Sequence, residues 1–365
     1  MDERKALFLL STSEELWVNT ITKMKEFAGS YAEALEVPEE YYRRAGILKT
    51  GKKLEAFRRI RCEKGYLLEE LAEYEEKGIR VVTHMDPFFP KRLLNIPDAP
   101  LLLYVRGGLP DDDAPAAAVI GARDCSDYGA EVAEYFAEEL AGKGIRIISG
   151  LASGIDSAAA EGALKGCGST YAVLGTGVRV CYPKENYRLF ERLSSGGGGV
   201  ISEFSPKAPP LKQHFVMRNR LIAGLGDVLL VIEARERSGT SITVGHALNQ
   251  GKDVFALPGR ITDPLGYGCN RLLKEGAIPL TSPSDVLEYF GMEEDGQLTM
   301  EWKDDSKLEG AEKAVFRHVS EDAMHVEDIA AASGLPLKDT MTALHRLELK
   351  NYVRNTKSAY YRRCR

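Results

Sequence analysis

The 365-residue sequence predicts an α/β fold built on a mainly parallel sheet, with a helical segment before it and a winged helix after it. Three observations carry this. From Arg80 onward, short apolar runs (VIGA, RIIS, YAVLG, VISEF, DVLLVIEA, VFALP, AIPL) alternate with runs of helical period, the pattern of parallel strands joined by right-handed crossovers. Ala116–Ala122 and Val228–Ile232 are continuously apolar, as strands covered on both faces are. The last 56 or so residues give three helical patterns and then two strand-like pieces, the order of a winged helix.

In chain order, residues 1–80 read as a helical accessory domain, with apolar segments Leu7–Leu10, Leu16–Met24, Leu54–Ile60 and Leu67–Tyr74 separated by Gly and Pro. No catalytic constellation appears there, and Lys49, Lys52, Lys53, Arg58, Arg59 and Arg61 could touch DNA, although a charge run is more often a solvated face.

Residues 81–291 form the predicted core. The first buried strand runs into Arg123 and a polar turn before the amphipathic run Ala130–Gly142. Ile147–Asp156 is a strand, a glycine turn and a helix start, where Gly150, Ser153 and Gly154 let a ligand approach the backbone. Arg218, Asn219 and Arg220 offer forked and amide donors suited to phosphate oxygens. Ser238, Gly239, Thr240 and Ser241 precede the helical pattern Ile242–Gln250, gathering hydroxyls and free N–H groups at a helix N-terminus. Any one such turn is explained by strand-to-helix packing alone, but parallel sheets hold ligands at the strands' carboxyl ends, where Arg123, Gly150, Gly175 and Glu203 all fall.

Residues 292–309, acidic and weakly periodic, read as a linker. Residues 310–365 are the winged-helix domain; its third helix sets Asp339 and Glu348 beside His345, Arg346 and Lys350, so protein contact fits it as well as groove reading.

With 44% hydrophobic and 28% charged residues, the composition is that of an ordinary globular chain. No signal-like leader and no run of ~18 apolar residues is present, so the expected home is the cytoplasm, away from membranes. Six cysteines lie far apart with no CxxC pair, which argues against structural zinc and a disulfide framework; no metal, cofactor or catalytic residue is expected. A net charge of −6 disfavours indiscriminate nucleic-acid binding and confines any phosphate site to a local patch.

GAR at 121–123, SGLASGID at 149–156, YAVLGTG at 171–177, YPKEN at 182–186, ISEF at 201–204, RNRLIAGL at 218–225, SGTSIT at 238–243 and FALPG at 255–259 stand in one order and spacing. In these motifs the chain resembles the DprA/Smf family (DNA processing protein A). The resemblance implies an extended Rossmann-like domain flanked by a SAM-like helical domain and a winged helix. It also implies a non-catalytic protein that binds single-stranded DNA, protects incoming strands and loads the RecA recombinase during natural transformation. Arg123, Lys212, Arg218 and Arg220 match positions lining a basic pocket, with Asn219 orienting the pair or bonding a base edge; Tyr182 and Phe215 could stack on bases, although an aromatic beside an apolar strand is more often core. A homodimer through the last helix–strand units is implied too, with Leu248, Leu272, Leu273 and Ile278 supplying apolar contacts. Ala122, Ala160 and Val216 depart from the Ser, His and Pro that the family favours at these places.

Two alternatives stand beside this reading. Arg220 could instead pair with Glu233 or Glu203 inside the sheet. A nucleotide enzyme cleaving N-glycosidic bonds, of the LOG/lysine-decarboxylase-like kind, could use Glu233 and the Ser238–Thr240 turn, although the PGGxGT run of such enzymes is missing. No GxGxxG follows the first strand, which argues against a dinucleotide oxidoreductase.

Overall fold

The computed structural model describes residues 1–236, 238–292 and 305–364. Nine strands form one sheet: β1 (Ile79–Thr83), β2 (Leu102–Gly107), β3 (Ala116–Ile120), β4 (Arg146–Ser149), β5 (Thr170–Val173), β6 (Gly198–Ser202), β7 (Val228–Val231), β8 (Asp253–Ala256) and β9 (Ile278–Pro279). Their order is β1-β2-β6-β5-β4-β3-β7-β8-β9; β6 through β9 in that order run parallel, and β2 and β1 are added antiparallel. The seven parallel strands are those expected from the apolar runs. The antiparallel pair was not among them.

Every side chain of β3 and of β7 is buried, which is why both read as unbroken apolar runs. The chain leaves β3 toward β4, β5 and β6, then returns to lay β7 on the other side of β3. That reversal opens a crevice above the carboxyl ends of β3, β4 and β7.

Six short helices precede the sheet: α1 (Glu3–Ser11), α2 (Val18–Ala28), α3 (Tyr31–Glu36), α4 (Glu39–Arg44), α5 (Gly51–Cys62) and α6 (Lys64–Glu76). They share one hydrophobic core with the sheet, since Phe8 and Tyr74 both meet Tyr104 of β2 edge-on, at 6.5 and 6.2 Å. The expected boundary near residue 80 is therefore no gap in packing. Helices α7 (Asp127–Gly142) and α8 (Ile155–Lys165) cover one face beside β3 and β4; α9 (Tyr187–Ser194) lies against β6; α10 (Lys212–Leu225), α11 (Thr240–Asn249) and α12 (Tyr267–Lys274) cover the opposite face, and α13 (Pro283–Tyr289) packs on α7.

The C-terminal unit has its own core, built from α14 (Gly310–His318), α15 (Val326–Ser333), α16 (Leu337–Leu349) and a small sheet of β10 (Met324–His325), β11 (Val353–Lys357) and β12 (Tyr360–Arg363). It is the expected winged helix, with Gly334 at φ 68° ending α15. Most of the expected acidic linker (residues 293–304) lies outside the described residues. Where the winged helix meets the core, Arg362 of β12, 4% exposed, pairs with Glu131 of α7 at 2.7 Å and approaches Asp127 at 3.7 Å. Arg260 and Asp322 add an exposed pair at 3.6 Å. All six cysteines are free thiols, and among the described residues no helix is long and apolar enough to cross a membrane.

Candidate functional site

The crevice holds a cavity of about 430 Å³ lined by Arg123, Asp156, Arg218, Asn219, Arg235 and the Ser238–Thr240 turn, among others. They come from the loops that follow β3 and β7 and from helices α8, α10 and α11, so the fold gathers at one edge of the sheet what the sequence scatters over more than a hundred residues.

Arg123 follows β3 on a turn anchored from below. Ser126 caps α7 by accepting from Gly129 N–H, and Glu233, 6% exposed, accepts from the Ser126 backbone N–H at 2.9 Å and from its hydroxyl. This engagement takes Glu233, on which a hydrolytic reading depends, away from the crevice. Arg123 itself is exposed; its guanidinium lies 5.5 Å from the centroid of the Phe215 ring and has no carboxylate partner among the described residues.

Arg218 is the buried counterpart, 3% exposed. Its Nη1 donates to the Gly150 carbonyl at 2.9 Å and to the Val173 carbonyl, its Nε donates to Asn219 Oδ1 at 3.3 Å, and its guanidinium lies 5.8 Å from the centroid of the Phe215 ring. Burial pulls its pKa down to about 10, against the favourable charge of Asp156, so it stays cationic at neutral pH. Asp156, itself buried and raised in pKa by desolvation, accepts from Gly150 N–H at 3.1 Å and Ala152 N–H at 3.4 Å.

The glycine turn therefore works differently from the sequence expectation. The Gly150 N–H already serves Asp156 and is not free for phosphate. A Cβ at Gly150 would fall 2.8 Å from an Arg218 nitrogen, and one at Gly154, where φ is 78°, would fall 2.4 Å from the Ala122 carbonyl. Both glycines let the loops that carry Arg218 and Arg123 pack closely. Ser153 and Lys212 are exposed but do not line the cavity.

Arg220 is the clearest departure. It lies two residues from Arg218 on α10, which puts it on the other side of the helix. There both Glu203 oxygens accept from its Nη2, at 2.7 and 2.8 Å, and both side chains are under a tenth exposed. This is the buried pair raised as the alternative, with Glu203 as partner; Arg220 does not reach the crevice. Helical phase was the signal that separates it from Arg218.

The hydroxyl turn stands as expected at an helix N-terminus: Ser238, Gly239 and Thr240 line the cavity at the start of α11, and Ser241 Oγ donates to the Ser238 carbonyl at 2.7 Å. Arg235, which the sequence reading passed over, also lines it and pairs with exposed Asp124 at 3.4 Å. Phe215 packs on Gly175, where a Cβ would meet its ring at 2.6 Å, and touches the exposed Tyr182 ring at 5.4 Å. Of the four leucine and isoleucine side chains expected at a dimer contact, Leu248 is 59% exposed, Leu273 and Ile278 are partly buried against the core, and Leu272, at 8%, belongs to the core itself. Leu272 is thus withdrawn from that contact: its surface is already spent on the chain's own packing.

These features define a Rossmann-like α/β protein with N-terminal helices, an arginine-bearing crevice at the strands' carboxyl ends and an appended winged helix. Residues 80–291 match the family model described as DNA recombination-mediator protein A, and residues 303–357 match the DprA winged helix domain. The chain belongs to the DprA/Smf family of DNA processing proteins. It is 46% identical over 206 residues to the DNA processing protein DprA of Streptococcus pneumoniae, covering 56% of this chain and 72% of that one. It is 35% identical over 299 residues to Protein Smf of Escherichia coli, 79% of this chain and 78% of the relative. The X-ray structure of the S. pneumoniae protein superposes with a TM-score of 0.67 at 36% identity, covering 78% of this chain and 97% of that chain. A Helicobacter pylori structure, described by its single-stranded DNA binding mode, gives a TM-score of 0.51 at 29% identity over 58% of this chain and 95% of that one.

Proposed function

We propose that the protein binds single-stranded DNA through the crevice at the carboxyl ends of β3, β4 and β7, and that it acts without catalysis, in the cytoplasm, to protect the strand and pass it to a RecA recombinase. The observation that carries this reading is Arg123: an exposed guanidinium, unpaired among the described residues, beside the Phe215 ring and the start of α11. Cationic donors grip a phosphate backbone irrespective of sequence, while Phe215 and Tyr182 offer faces on which any base can stack. The H. pylori relative, described as binding single strands, supports the choice of ligand.

In this reading Arg218 is the fixed charge at the floor of the crevice, Asn219 and the Ser238–Thr240 turn supply neutral donors, and Lys212 on α10 extends the path. The protein acts as a homodimer joined near β9, with Leu248 in the contact. The helical segment 1–80 and the winged helix 310–365 are accessory units around the 81–291 core. Titrating single-stranded and duplex oligonucleotides against the full chain tests the proposal: a preference for single strands is expected, and equal affinity for both would overturn it.

A further inference from the structure

A second cavity, of about 240 Å³, opens on the same edge of the sheet, where the N-terminal helices meet the ends of β2 and β6. Trp17, Ile21, Leu102 and Phe204 form its apolar wall, and Glu14, Glu203 and Lys207 its charged one. Trp17 and Phe204 lie nearly parallel, 6.2 Å apart at 23°, and His214 continues the stack 4.0 Å behind Phe204 at 16°. Arg220, held by Glu203, lies 6.0 Å from the Trp17 ring, and its Nη1 is buried with no hydrogen-bond acceptor among the described residues. A buried donor left without an acceptor is costly, so this corner of the fold is under-satisfied as it stands.

We propose that this cavity takes an unstacked nucleobase of a bound single strand, stacked on Trp17, as a second subsite of the interface proposed above, on which it rests. The charge pattern selects the base over the phosphate: Glu203 is paired with Arg220, and Lys207, which also lines the cavity, is paired with Glu70 at 2.8 Å, so among the described residues no unpaired cation of the lining awaits an anion, while the apolar wall admits an uncharged ring. An indole offers every base a face, so no sequence preference is required. The placement suits a single strand: β6 stands three places from β3 in the sheet, about 14 Å at ordinary strand spacing, a gap that a few nucleotides cross. Exposed Lys212, at the start of α10, stands on the same edge.

Trp17 makes the proposal measurable, because the sequence has only 2 tryptophans and the other, Trp302, can be replaced. In the full chain carrying Trp302→Phe, Trp17 emission is expected to be quenched by an oligodeoxycytidylate of ~20 nucleotides and left unchanged by one of ~4, which fills only the arginine crevice. Trp17→Ala is expected to weaken binding of the long oligonucleotide about tenfold, with the short one bound as before and Trp17→Phe restoring most of the loss. The emission measurement needs no change at residue 17, so a folding defect in Trp17→Ala does not remove the test. Tight binding of the long strand with unchanged emission would overturn the subsite and leave the arginine crevice standing. Binding of neither oligonucleotide would overturn the reading of the crevice, and the subsite with it.

Discussion

Arg123 and Arg218 face the same Phe215 ring from 5.5 and 5.8 Å, yet Arg123 is exposed and Arg218 is 3% exposed. One is available to a ligand; the other is bound to the Gly150 and Val173 carbonyls and balances buried Asp156. The two guanidiniums therefore divide the work of contact and support.

That division separates two substitutions. Arg123→Ala is expected to weaken single-strand binding by ~1–3 kcal/mol, as loss of a charge-assisted contact does, with the melting temperature unchanged. The dependence of affinity on salt should flatten by about 0.7 in log–log slope, one phosphate's share on a single strand. Arg218→Ala should instead lower stability by ~3–5 kcal/mol, because it leaves Asp156 buried without its counter-charge. Anisotropy titrations at several salt concentrations, paired with thermal melts, check both; an Arg123→Ala protein with wild-type affinity would remove the crevice from the binding path.

The Arg220–Glu203 pair gives a prediction with a pH sign. Arg220→Ala strands a buried carboxylate and should cost ~3–5 kcal/mol at neutral pH. Burial already raises the Glu203 pKa above the ordinary 4.5, and losing Arg220 raises it further. An acid whose folded pKa is raised carries its penalty in full above that value and sheds it as pH falls toward 4.5. The stability gap between variant and wild type should thus narrow between pH 7.5 and 5 in urea unfolding. A gap of constant size would mean that Glu203 is not the source of the loss.

Much of this architecture was legible in the sequence because the central strands are covered on both faces and so read as plain apolar runs. The antiparallel additions were not: β1 and β2 have no crossover helix between them to mark their pairing, and their runs, IRVVT and LLYVRG, carry charge. In the crevice, residue type identified the donors and missed their direction. Arg218 and Arg220 are equivalent letters in RNR, and only the turn of α10 sends one to the crevice and the other to Glu203. Gly150 and Gly154 were found for the right property, absence of a Cβ, but the groups they admit are Arg218 and the Ala122 carbonyl. The docking of the winged helix rests on Arg362, one of 48 basic residues, with nothing local to distinguish it.

Self-association is tested by contrasting two leucines. Leu248→Lys, at an exposed position on α11, should give a folded monomer in sedimentation if the proposed dimer forms there. Leu272→Ala, in the core, should cost ~2–5 kcal/mol of stability through the cavity it leaves, and any change in association should follow that loss. A wild-type chain that sediments as a monomer at tens of micromolar would dispose of the dimer.

A chain ending at Gly291 should fold and keep single-strand affinity within about threefold. The crevice draws all its lining from Ile120 to Thr243, so no residue of the winged helix is needed to build it. The seam between the units argues neither for nor against this, because what truncation exposes there, Glu131 and Asp127 of α7, is charged and gains water when Arg362 leaves. The acidic turn between α14 and β10 adds a direction: Asp322 pairs with Arg260, in the loop that follows the carboxyl end of β8. Removing it frees a cation near the proposed path, so any change within the threefold should be toward tighter binding. A tenfold loss on truncation, equivalent to ~1.4 kcal/mol, with the core still folded, would make the winged helix part of the DNA site.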